Sequence, residues 1–201
     1  MKKHFLLLLM VVCVAALNAQ DAGLVWSSQV LNWYGVDFTK AKMIGLEESP
    51  HKIRDEYFKA WNDVTIDIDL AKIFMKNSAT KDPNGTLKAD LARETETLTG
   101  TEDVEFGKET IEGMVKQMST GSKKAGLGLV FIVQSFNKTS GTATVHVTFF
   151  DIATRKVVWL KKMTGKMSGK DNKTGWAAAI KDIFSQIDKK EFKAWKKEAN
   201  Y

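Results

Sequence analysis

The chain has 201 residues, with 30 Lys and Arg against 24 Asp and Glu, three histidines, one cysteine and a formal net charge of +6. A single cysteine excludes an internal disulfide framework and any thiolate-rich metal site. With 44% hydrophobic residues and no apolar run of membrane-spanning length, the sequence is that of one folded domain rather than a disordered, fibrous or multispanning chain.

Lys2 and Lys3 precede an unbroken apolar run from Phe5 to Leu17, followed by Ala19. A basic start, a short apolar run and small residues before a polar boundary predict a secretory signal peptide over 1–19. The run is too short to span a bilayer, which takes ~20 apolar residues. Cys13 lies within it after Val12, not after the small residue a lipidation site requires. The mature chain, 20–201, then has no cysteine. Losing Lys2 and Lys3 lowers the net charge from +6 to +4. The remainder is uneven: residues 20–150 carry 15 basic and 18 acidic side chains, and residues 151–201 carry 13 and 6.

Leu24-Val25-Trp26 and Val30 to Phe38 are aromatic and β-prone, and with Met43-Ile44 they predict one or two strands. Ser49-Pro50 opens a helix, because serine caps free N–H groups and proline tolerates the first helical position. Ile53, Tyr57 and Trp61 give it one apolar face over 50–62. A short helix is expected at 69–76. Residues 77–100 are polar, with the turn signal Asp82-Pro83-Asn84-Gly85, and read as a loop. A helix is expected from Thr101 or Asp103, with Val104, Ile111, Met114, Val115 and Met118 on one face and Gly121 as its stop.

Leu127 to Phe136 is nearly continuous in apolar residues, the mark of a strand buried on both faces. Thr142–Phe150 alternates strictly, and Lys156–Met163 follows after a short turn. Two short connections in succession predict an antiparallel meander over 127–163. Gly165–Gly175 reads as a loop, and Trp176 to Lys197 as a long helix faced by Ile180, Ile183, Phe184 and Ile187. The fold class expected is α/β: a single-domain sandwich with a mixed sheet of about five strands and about three packed helices.

No motif identifies a cofactor or a metal. His51 and His146 are the two histidines of the mature chain, and no G-x-S-x-G accompanies them. Gly165–Asp171 has one residue too few between its glycines for a Walker loop. Asp82–Thr86 places glycine fourth where a calcium loop needs it sixth. Asp63, Asp67 and Asp69 have no partner acid selected by spacing. His146 with nearby carboxylates gives the alternative of a periplasmic hydrolase with a non-standard site. At the end of the chain, Lys189, Lys190, Phe192, Lys193, Trp195, Lys196 and Lys197 set cations around two aromatics, a candidate surface for an anionic membrane or an acidic partner. An exported chain without a nucleic-acid-binding module is not expected to bind nucleic acid.

The stretch Gly126 to Lys138, continuing through Val147 to Val158, resembles a family of uncharacterised exported proteins of Bacteroides-type bacteria. Gly165-Lys166-Met167-Ser168-Gly169, Asn172, Trp176-Ala177 and the early Trp33 to Ala41 fit the same family. More distantly, the turn Asp151 to Trp159 resembles small periplasmic α/β domains of envelope assembly, namely the lipoprotein activators of cell-wall synthases and the curli-secretion proteins. Those families carry a lipobox cysteine that this chain lacks. The resemblance implies no catalytic residue. It implies an exported, non-enzymatic binding or assembly module of the envelope, periplasmic or secreted, whose partner is another envelope protein or an anionic surface.

Overall fold

The computed structural model describes residues 22–201, so the predicted leader lies outside the described residues. In chain order the strands are β1 (Val30–Asp37), β2 (Lys42–Ile44), β3 (Ser78–Lys81), β4 (Thr99–Gly100), β5 (Leu127–Asn137), β6 (Thr142–Asp151) and β7 (Val157–Lys166). The helices are α1 (50–63), α2 (Leu70–Ile73), α3 (Asn84–Ala92), α4 (Lys108–Gln117) and α5 (172–198), with a further helical segment at 22–27. α1 and α5 each contain a π-helical turn, Ile53–Tyr57 and Ile187–Glu191.

The architecture is mixed α/β, organised on β5, of which every residue but the last is buried. One edge of β5 pairs antiparallel with β6, and β6 pairs antiparallel with β7. The other edge takes two strands in tandem, both parallel: β1 along Leu127–Ile132 and β2 along Ser135–Asn137. β3 extends β1 and β4 extends β2, again parallel. The expectation of about five strands with an antiparallel meander over 127–163 is therefore corrected. Among the described residues the sheet has seven strands, and four of its six pairings are parallel. The two additional strands span four and two residues inside the segment read as a loop, too short for alternation to announce them.

The main core lies on one face, between the sheet and α1, α2 and α5. Phe38 stacks on Phe58 at 4.5 Å, Phe136 on Trp176 at 4.8 Å and Phe131 on Phe184 at 4.5 Å. A smaller cluster on the other face joins Tyr34, Val130, Ile132, Phe150 and Ile152 to Ile111, Met114, Val115 and Met118 of α4.

Several local expectations shift for identifiable reasons. Residues 22–27 are helical, not extended; Trp26 packs on Trp159 and Phe192, and tertiary packing overrides weak β propensity. α3 occupies the supposed loop. Its buried residues are Thr86 and Asp90, so it carries no apolar stripe to reveal it. α4 begins at Lys108 after Gly107, seven residues beyond Thr101. α5 begins at Asn172, four residues before Trp176, because Asp171 accepts from the Thr174 N–H at 2.8 Å and caps it. β7 runs on to Lys166 through Gly165.

Beyond the short β3, the outer edge of β1 is closed by side chains. The register of β1 on β5 shifts between Trp33 and Val36, where Gly35 takes φ +91°. That conformation favours glycine, and a Cβ there would meet Asn62 Oδ1 at 2.6 Å. Thr86 donates to the Tyr34 carbonyl, Asn62 accepts from Val36 N–H at 2.8 Å and donates to its carbonyl at 3.0 Å, and Asp90 accepts from Phe38 N–H at 2.7 Å. Alternate residues of the edge are thus satisfied from α1 and α3, as buried backbone polar groups must be. This arrangement seats α3 at the carboxyl end of β1.

Candidate functional site

A cleft of about 430 Å³ opens at the carboxyl end of β1, between α3 and the end of α4. Ligand sites of open α/β sheets favour the carboxyl ends of parallel strands. Its apolar wall is Ala89 and Ala92 of α3 with Met114 and Met118 of α4 and its C-cap. Thr39 and Lys40 enter from the β1–β2 connection, Lys88 from α3, and Gln117 and Ser119 from the α4 end. Gly85 packs so closely on this end that a Cβ would sit 2.8 Å from the Ser119 Cβ. Lys40 and Lys88 are exposed and make no ion pair among the described residues.

Behind the cleft, Asp37, Asp90 and Arg93 hold the loop that carries Thr39 and Lys40. Asp37 accepts from the Thr39 N–H at 2.8 Å and from its hydroxyl at 2.6 Å. Arg93 donates to the carbonyls of Phe38 and Ala41. Burial pushes both carboxyls above the usual carboxylate range. For Asp90 the nearby Asp37 pushes in the same direction, against the Phe38 N–H and Arg93. Asp90 Oδ2 is buried without a hydrogen-bond partner.

His146 lies elsewhere, on β6, on the same face as α4. It is 4% exposed, stacked under Phe106 at 6.0 Å, with Nε2 3.0 Å from Gln134 Oε1. The Thr148 hydroxyl donates to the His146 carbonyl and not to the ring. Burial, aided by Lys162 and opposed by Glu105, pulls its pKa from 6.5 to about 4. The ring is a neutral packing element. A histidine with a depressed native pKa takes up its proton preferentially on unfolding, so its contribution is present above pH 6.5 and is lost as the pH falls toward 4. At about 1.4 kcal/mol per pKa unit, the native chain is expected to lose about 2–3 kcal/mol more than His146→Leu between pH 7 and pH 4. Urea titrations of both proteins across that range check it, and parallel curves would reject the neutral assignment.

The other sequence candidates are dispersed. His51 is exposed in the first turn of α1, beside Arg54. Asp63 pairs with Lys59 at 2.6 Å, Asp69 caps α2, and Asp67 is exposed. Asp171 caps α5. Among the described residues, no group of three His, Cys, Asp or Glu side chains could hold a metal ion. In the C-terminal segment the two aromatics turn inward: Phe192 is 3% and Trp195 4% exposed, with Phe192 against Trp26 and Phe74. Lys189, Lys190, Lys193 and Lys197 are exposed and Lys196 half-buried, so that surface presents cations without its aromatics. Among the described residues, no helix is long and apolar enough to cross a membrane.

The cleft itself was not legible in the sequence. Its residues come from three separate segments, of which the Asp82–Gly85 turn that leads into α3 and the Met114–Met118 helix face carried a signal. No family model matches the chain, and no curated protein matches it.

Proposed function

We propose that this chain is an exported, non-catalytic binding module of the bacterial envelope, and that its ligand occupies the cleft between α3 and α4. The single observation behind this reading is the cleft: its volume of about 430 Å³ lies within the ~300–1,000 Å³ of small-molecule sites. Its wall is apolar, with a few polar groups at the mouth, the composition of a site that binds. The adjacent carboxyls support binding rather than catalysis, because Asp37 and Asp90 are committed to backbone groups of the loop they hold. The leader pattern and the resemblance support export and an envelope role, and a partner protein of the envelope would be met outside the cleft.

Filling the cleft tests the reading. Ala89 is exposed and lines it, so Ala89→Trp fills space without disturbing the core. In a thermal-shift screen of a small-molecule fragment set, compounds that raise the melting temperature of the native chain are expected to lose that effect in Ala89→Trp. Compounds that stabilise both proteins equally, or no stabilising compound at all, would overturn the cleft as the binding site.

A further inference from the structure

We infer that the ligand of the cleft is a small amphipathic anion, with a carboxylate or phosphate head at the mouth and an apolar body against the α3–α4 wall. The inference rests on the cleft being the binding site and adds the class of ligand it takes.

Charge is the first ground. Lys40 and Lys88 line the mouth, come from different elements and make no ion pair among the described residues. Two unneutralised cations that converge on one concavity focus a positive potential into it. The one carboxyl in the lining, Asp37, does not cancel them. It is buried and turned to Thr39, accepting from that residue's N–H and hydroxyl, so its oxygens are engaged away from the mouth. Gly85 and Thr86, in the first turn of the nine-residue α3, line the same mouth, where the positive end of the helix dipole adds to the two side chains.

The wall is the second ground. Ala89 and Ala92 leave room on α3, and Met114 and Met118 face them from the α4 side. Methionine is unbranched and polarisable and adapts to apolar bodies of different shape. A wholly polar anion such as inorganic phosphate leaves this wall wet, and a neutral hydrocarbon leaves the lysines without a counter-charge. Only a molecule with both halves uses the whole cleft.

The test titrates 15N- and methyl-labelled protein with octanoate, octyl phosphate, 1-octanol, octylammonium and inorganic phosphate. Octanoate and octyl phosphate are expected to shift the Met114 and Met118 methyl signals and to bind at least tenfold more tightly than the other three. In Lys40→Glu/Lys88→Glu, whose exposed positions leave the fold untouched, that preference is expected to vanish while weak octanol binding persists. Equal affinity for octanol, or tighter binding of octylammonium, overturns the anionic class and leaves the cleft reading standing. Inorganic phosphate binding as tightly as octyl phosphate overturns the amphipathic one. Co-sedimentation with phosphatidylglycerol vesicles that requires both lysines and is not displaced by octanoate would assign them to a lipid surface, which also overturns the inference. If no probe moves the methyl signals while the fragment set still distinguishes native from Ala89→Trp, the ligand class alone fails. If that distinction is absent too, the binding reading fails.

Discussion

Gly165→Ala is expected to lower the melting temperature by about 10 °C, a loss of about 3 kcal/mol for a chain of this size. Gly165 lies near the end of β7, opposite Ala143 of β6, where α5 crosses the strand. A Cβ there would fall 2.1 Å from the Ala179 carbonyl oxygen and 2.9 Å from Ile183 Cγ1. The first of these is backbone in the middle of a helix and cannot rotate away. The alanine variant must therefore push α5 off the sheet, loosening Trp176, Ile180, Ile183 and Phe184, all buried. A glycine inside a strand often marks such a close approach of another backbone. Gly100→Ala is the control: nothing lies within 4 Å of its would-be Cβ, and it is expected to change stability by less than about 0.5 kcal/mol. Equal melting temperatures for the two variants would refute the proposed contact.

Asp90→Asn is expected to make the protein more stable at pH 8, by about 1 kcal/mol or more, and to leave it nearly unchanged below about pH 4. Asp90 is fully buried, and burial first and the Asp37 charge second raise its pKa well above the usual carboxylate value. A carboxyl whose pKa is higher in the folded than in the unfolded chain binds more protons when folded. Its contribution is therefore intact at low pH and is lost as the pH rises from about 4 through the raised native value. Asparagine keeps the acceptor for the Phe38 N–H and removes the charge. The pH dependence of chemical denaturation from pH 5 to 8 should flatten accordingly in the variant. A loss of about 3–5 kcal/mol at pH 8 would show instead that Asp90 is ionised against Arg93, because breaking a buried pair carries that cost. The same experiment bears on the cleft, since Asp90, Asp37 and Arg93 hold the loop that presents Thr39 and Lys40.

The opposite signs of Asp90 and His146 have one origin. Each group is buried beside neighbours that leave its charged form under-compensated, so each is driven toward neutrality. For the acid this favours low pH, and for the histidine it favours high pH. The sequence placed His146 on the polar-looking Thr144–Thr148 face of its strand. It could not show that Phe106, forty residues earlier, covers that face.

Long, strongly patterned segments were determined by the sequence itself. The doubly buried strand at 127–136, the alternation of 142–150 and the Ile53–Tyr57–Trp61 face each encode burial in the residues themselves, and periodic burial survives any topology. The single cysteine is likewise a property of the chain alone. Strand order, parallel pairing and the cleft belonged to the tertiary structure. β3 and β4 are too short to carry a pattern, and α3 buries polar side chains because its task is to hydrogen-bond the edge of β1. Lys40 and Lys88 carry no signal where they stand in sequence, and Met118 reads only as part of a helix face. They become one site only because β1 ends where α3 and α4 meet, and that meeting depends on contacts between residues far apart in the chain.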